Sequence, residues 1–251
     1  MSIGLTAFLL LSVFVTSLLS GVLGMAGGMI LMGALAFAFT VPQAMILHAV
    51  AQFFANASRA FIHRAHIHWP SARWYLLGLA GGFIIFCFLS FVPNKITLFT
   101  ILGAIPFLPL FFPPHIRFDF TRPVQAAACG LVVTCLQLTA GVAGPILDVF
   151  FQKVPLSRHQ NVATKAFTQS VSHAGKFLYF GVLVQTQADA SVWLDWWIYP
   201  MLVPVAILGS HTAKYFLDRI SDKHFYRTTQ IILWMIGAIY LAKAAALVFH
   251  A

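Results

Sequence analysis

His48-Ala-Val-Ala-Gln52-Phe-Phe-Ala-Asn56-Ala-Ser-Arg59-Ala-Phe-Ile-His63 is followed, 113 residues later, by Asn161-Val-Ala-Thr-Lys165-Ala-Phe-Thr-Gln169-Ser-Val-Ser172-His173-Ala-Gly-Lys176. In each stretch five polar residues recur at steps of 4, 4, 3 and 4: positions 48, 52, 56, 59 and 63, then 161, 165, 169, 172 and 176. At about 100° per residue such steps hold each set within roughly an 80° arc of one helix face. Val41-Pro42 and Val154-Pro155 precede the two stripes at the same offset. In water, two such helices would turn these faces to solvent. The rest of the chain argues for a different environment.

Of 251 residues, 60% are hydrophobic and 8% charged, with 25 Phe and no Glu. A soluble domain carries about 25% charged residues, so the composition fits an all-α polytopic membrane protein of about eight membrane segments. Polar stripes inside apolar helices must then face something polar within the protein. The formal charge of +9 does not point to nucleic acid, because most Lys and Arg sit in short loops between apolar segments, where cytoplasmic enrichment is ordinary. Cys87, Cys129 and Cys135 fall inside apolar segments and have neither the number nor the spacing of a disulfide framework or zinc site. The first apolar run lacks a basic leader and continues into a Gly-rich stretch, so it reads as a membrane segment rather than a cleaved signal.

Apolar segments fall at 3–23, 29–40, 43–62, 74–92, 95–112, 124–138, 145–151, 157–182, 193–213 and 225–249. Segments 29–40 and 145–151 are shorter than the roughly 20 residues that cross a bilayer as a helix. Each follows a Gly-rich break, Gly24-Met-Ala-Gly27-Gly28 and Gly141-Val-Ala-Gly144-Pro145. Irregular backbone at membrane depth persists only where protein buries it or a cavity borders it. The chain therefore divides into two internal repeats joined by a loop at 115–123. The first, 1–114, holds a broken segment 3–40 and helices 43–62, 74–92 and 95–112; the second, 124–251, holds a broken segment 124–151 and helices 157–182, 193–213 and 225–249. Corresponding broken helices in two halves point to a transporter's binding site.

The broken segments read either as full spans or as re-entrant hairpins, and loop charge discriminates. With hairpins, the loops at 63–73, 113–123, 152–158 and 214–227 share a side and hold ten Lys and Arg, against Lys95 alone opposite. With full spans the split is seven to four. The positive-inside rule favours hairpins, hence inverted repeats of three crossings each. Both versions place both termini on the periplasmic side.

Arg59, Lys165, Lys176 and Asp148 lie within or near the ends of apolar segments, where a charge costs about 2.5–3.5 kcal/mol on insertion scales. Asp148 is placed to neutralise Lys165, as a structural ion pair or as part of a site. Arg59 and Lys176 sit late in their helices and can snorkel to the interface, which leaves Lys165 as the leading cation. A half-helix that begins in the membrane also aims unpaired N–H groups and a positive dipole end at its cavity; Gly24, Gly27 and Gly28 open one such element, and Gly141, Gly144 and Pro145 the other. Taken singly, each glycine equally reads as close helix packing. Gln52, Asn56, Gln169, Thr139, Ser170 and Ser172 can donate to an oxyanion or serve as helix–helix contacts. His48, His173 and Asp148 are candidates for proton coupling, the histidines because they titrate near physiological pH; a buried neutral histidine with a satisfied hydrogen bond is the alternative for each. His63, His66 and His68 lack an accompanying Cys or carboxylate, so no metal and no cofactor is expected. Trp69, Trp74, Trp193, Trp196 and Trp197 fit interfacial aromatic belts.

These residues resemble the TauE/SafE-type sulfite-exporter permeases, also called toluene sulfonate uptake permeases. The likeness rests on Gly24-x-x-Gly27-Gly28 and Gly141-x-x-Gly144-Pro145, on Asp148-Val-Phe-Phe, and on Val162-Ala-Thr-Lys165-Ala-x-x-Gln169-x-x-x-His173-x-x-Lys176. In the first half it rests on His48-x-x-x-Gln52-x-x-x-Asn56-x-x-Arg59 followed by His63-Arg64-x-His66. Ala26 and Ala143 stand where the family often has a third Gly, and Gly33 where it often has Pro. The resemblance implies transport of small anionic sulfur compounds, sulfite or organosulfonates, across a bacterial inner membrane.

The expectation is thus a secondary transporter for a small anion, working by alternating access at the repeat interface. Lys165, Arg59, Gln52, Asn56, Gln169, Gly27, Gly28, Gly141 and Gly144 form the expected substrate site. No G-x-x-x-x-G-K-[ST] loop is present to bind a nucleotide. Expected partners are the anion and membrane lipid, with homo-oligomerisation left open. An intramembrane enzyme lacks its nucleophile, metal cage or carboxylate pair. A scaffold or sensor, its stripes serving only helix packing, is the remaining alternative.

Overall fold

The computed structural model describes residues 1–23, 26–112, 118–152, 154–187, 192–213, 215 and 222–249. These residues form helices and short turns, with no β-strand among them: α1 (Ile3–Leu23), α2 (Ala26–Ala38), α3 (Val41–Ile62), α4 (Trp69–Leu89), α5 (Lys95–Ala104), α6 (Pro123–Thr139), α7 (Gly144–Phe151), α8 (Arg158–Leu178), α9 (Val184–Gln187), α10 (Ile198–Thr212) and α11 (Asp222–Phe249). Gly24 lies outside the described residues, as does part of the loop at 113–123.

Local sequence explains where the helices begin and change character. Thr40 precedes α3 in a capping box with Gln43, and Ser157 precedes α8 in one with Gln160, each reciprocally satisfying first-turn amides. Pro42 stands in the first turn of α3, whereas Pro155 lies outside α8, so the matching Val-Pro pairs do not start matching helices. The segment expected as one helix over 95–112 is α-helical only to Ala104 and continues as a 3-10 turn, Ile105–Phe111. Pro106 and Pro109 remove the amide donors a longer α-helix needs. α8 runs through a π-turn, Tyr179–Leu183, into α9. There the Tyr179 hydroxyl donates to the carbonyls of Phe86 and Phe91 at the end of α4.

Ile3–Gly21, Trp69–Leu89 and Thr228–Phe249 are long and apolar enough to cross a bilayer, and Ala26–Ala38, Lys95–Phe111, Pro123–Thr139 and Ile198–Thr212 are shorter apolar helices. The outer surface carries Ile84, Ile85, Phe88 and Leu89 of α4 and Leu11 and Val15 of α1, while His48, Gln52, Asn56, Gln137, His173 and Lys176 are buried. Apolar outside and polar inside is the distribution of a membrane-embedded protein.

α1 and α2 pack on one another, and their open ends lie together: Met1 and Leu5 of one limb border the same surface pocket as Ala38, Phe39 and Gln43. The pair α6 and α7 closes likewise, with Phe120 N donating to the Phe150 carbonyl at 3.1 Å and the Phe120 and Phe151 rings stacked 4.1 Å apart. Between the two hairpins, α3 packs on α8. His48, early in α3, meets Lys176, late in α8, and the His63 ring at the far end of α3 approaches His159 at the start of α8. The striped helices therefore run antiparallel with their polar faces together.

The largest remaining contacts cross between the halves: α1 on α10, α4 on α6, α5 on α11. Glycines stand at each crossing. A Cβ at Gly78 would strike the Ala127 backbone, one at Gly209 the backbone of Phe14, and ones at Gly103 and Gly237 would each meet the other's carbonyl oxygen at 2.8 Å. Among lipid-embedded helices such close approach supplies the packing that water supplies elsewhere.

Candidate functional site

The two hairpins and the paired stripes converge on a buried polar cavity of ≈ 20 Å³, a volume for about one water. The first hairpin contributes Ser20 and Gly28, α3 contributes His48 and Gln52, and α8 contributes Gln169 and His173. From the second hairpin come Gln137 and the break Val142, Ala143 and Gly144. Gly144 is the first residue of α7, with Pro145 next, so the helix presents its unpaired amides and positive dipole end at this wall. Gly141, with φ +76°, makes the turn that aims it, a conformation open to glycine without cost.

His48 is 1% exposed, and its Nε2 lies 2.9 Å from the Gly28 carbonyl. Its Nδ1 lies 2.7 Å from Lys176 Nζ, which also donates to the Gly141 carbonyl at 2.8 Å. A ring that accepts from the lysine at Nδ1 carries its proton on Nε2 and donates it to Gly28. His173 pairs with Gln137 Nε2 at 2.6 Å, and its ring centroid stands 5.4 Å from that of His48. Gln52 is 3% exposed, and its Nε2 is buried with no hydrogen-bond partner. A buried donor left unpaired costs about 1–3 kcal/mol, which marks this amide as waiting for an acceptor.

The other expected residues fall elsewhere. Lys165 forms a salt bridge with Asp148 at 2.5 Å, both side chains partly exposed, with Nζ 5.3 Å from the Phe151 ring centroid. The expected ion pair is present, and neither partner borders the cavity. Arg59 donates through Nη2 to Asn56 Oδ1 at 2.8 Å, and Asn56 Nδ2 donates to the Gln52 carbonyl; both lie further along α3, away from the cavity lining. Gly27 is a packing residue, since a Cβ there would strike Thr16 and Ser20 of α1. Thr139, Ser170 and Ser172 hydroxyls donate to carbonyls of their own helices. Among the described residues no group of His, Cys, Asp and Glu is arranged to hold a metal ion.

Lys176 does not snorkel: it is fully buried, because α8 continues past it through the π-turn to Gln187. Gln137 and Ser20 were not among the expected residues, although the sequence carries a signal for both. Each stands four residues before the first glycine of its break, Gly24 or Gly141, on the face that turns inward. The assembly offers donors to a small ligand and no carboxylate to repel an anion. The family model described as Sulfite exporter TauE/SafE matches residues 9–241. No curated protein and no solved structure matches the chain.

Proposed function

The chain belongs to the sulfite exporter TauE/SafE family, and from that membership we propose a secondary transporter that carries a small sulfur anion, sulfite or an organosulfonate, across the bacterial inner membrane. The observation that carries the reading is the unpartnered Gln52 amide at a buried cavity walled by the N-terminus of α7. An oxyanion there accepts from Gln52, from the α7 amides and from Gln169, with Gly28 leaving room for close approach. Arg59 and Lys165 lie further along the α3–α8 seam and steer the anion toward it. His48 and His173 are the groups through which a proton couples to passage, with Asp148 acting at the entrance.

The architecture we propose is two inverted repeats, 1–114 and 124–251, each a re-entrant hairpin and three crossings, with both termini periplasmic. Three features support it. Each hairpin has its open ends together. The stripes cross so that the first position of one meets the last position of the other. The cross-half contacts come in corresponding pairs, α1 on α10 and α4 on α6. This interleaving makes the moving bodies composite, each built from both sequence halves. A cavity with room for about one water has to widen to admit an anion, and parting of those bodies in alternating access would widen it.

The test is thermal stabilisation of the purified protein in detergent by sulfite, thiosulfate, short organosulfonates, carboxylates and chloride. A ligand that binds only the folded state raises the melting temperature by mass action. Stabilisation by a sulfur oxyanion that is lost in Gln52→Leu supports the site. Stabilisation by none of them leaves the stripes as packing and the protein as a scaffold.

A further inference from the structure

Lys176 is the most deeply buried basic side chain among the described residues, and its ammonium form has no carboxylate partner there. Asp119 is engaged by Arg122, Asp148 by Lys165, and Asp195 by the Met1 amino group. Both acceptors of the Lys176 amine, His48 Nδ1 and the Gly141 carbonyl, are neutral. An ion in apolar surroundings is strongly disfavoured unless a counter-charge meets it. Lys165 cannot supply the site's net charge, since Asp148 already neutralises it. The Lys176 contacts also tie the glycine break of the second hairpin to the histidine that holds Gly28 of the first. The side chain thus stands one residue behind the cavity wall, between the two striped helices and the break of the second hairpin.

Resting on the anion-transport reading above, we infer that Lys176 is the charge complement of the cargo and that the site selects singly charged sulfur oxyanions, a sulfonate or the hydrogensulfite form of sulfite, by net charge. One buried cation neutralises one negative charge. A dianion leaves a net charge in the core, and a neutral isostere leaves Lys176 without its counter-ion. Lys176 acts through space from behind His48, and it positions that ring by donating to Nδ1. Shape contributes little to this selection, because the donors at Gln52 and the α7 amides meet any tetrahedral sulfur–oxygen group alike.

Three ligands separate charge from shape: methanesulfonate, dimethyl sulfone and sulfate share a tetrahedral sulfur and carry charges of −1, 0 and −2. Calorimetric titration of the wild-type protein is expected to give methanesulfonate at least a tenfold lower Kd than either of the others. Lys176→Gln, which keeps a donor and drops the charge, is expected to weaken methanesulfonate at least tenfold and leave dimethyl sulfone unchanged. A purely structural lysine would weaken both ligands together, and that result overturns the inference. If Lys176→Gln does not fold, the wild-type series decides alone: equal affinity for methanesulfonate and sulfone, or a preference for sulfate, overturns it. Sulfite binding without any charge order in the series sinks this inference and leaves the transport reading in place. A wild-type protein that binds neither sulfite nor any of the three removes both.

Discussion

Gln52 sits in the core with one buried hydrogen-bond donor unused, an arrangement that costs stability and is explained by a ligand that completes it. Gln52→Leu is therefore expected to melt no lower than wild type while binding of a sulfur oxyanion falls at least tenfold; a melting scan and a titration on one preparation check both halves. Lys165→Gln should act differently, slowing anion capture most at low salt, because it leaves Asp148 as an unpaired carboxylate on the approach rather than removing a contact to the bound anion. Stopped-flow binding at two ionic strengths separates that from loss of the site. Of the residues that line the cavity, His48, Gln52 and Gln169 were legible in sequence because period and polarity select them. The choice between two lysines was not. Late position in a stripe suggested snorkelling, but a late residue is near a helix end only if the helix stops there, and α8 runs on through the π-turn into α9. Asn56 illustrates the same limit, since its face is right but Arg59 and the Gln52 carbonyl occupy its polar atoms.

At the level of elements, the adjacent glycines of the first break have different duties. A Cβ at Gly28 would lie 3.8 Å from Gln52 and 3.9 Å from His48, ordinary contact that the fold tolerates but that occupies the cavity. A Cβ at Gly27 would drive into the α1 backbone at Thr16 and Ser20, an overpacking worth about 1–3 kcal/mol. Gly28→Ala is expected to keep its melting temperature and lose anion binding, and Gly27→Ala to lose stability first. Gly141→Ala carries a further cost of about 1–2 kcal/mol from its left-handed backbone, together with collision against Met32 and Met45. Apolar run length and glycine punctuation located nearly every helix. The exceptions have local causes: prolines convert 105–111 to a 3-10 turn, and Trp69-Pro70 starts α4 earlier than the apolar run alone suggests.

For the whole molecule, the proposed inverted repeats would place the exposed start of α4 in the cytoplasm and its far end in the periplasm. In a background lacking Cys87, Cys129 and Cys135, cysteines at Arg73 and Asn94 should label from opposite faces, Asn94 from outside. Labelling of Arg73→Cys by an impermeant reagent added to intact cells would break the topology. Matching stripes and glycine breaks were readable from spacing alone, but the packing of early helices on late ones was not, since it is settled by glycine crossings far apart in sequence. Passage of a sulfur anion through the cavity between the paired stripes is read out by flux. Proteoliposomes loaded with sulfite should release it with the wild-type protein and at background rate with Gln52→Leu folded to the same extent. Equal release by wild type and variant, or none by wild type under every imposed ion gradient, would rule out this cavity as the anion's path.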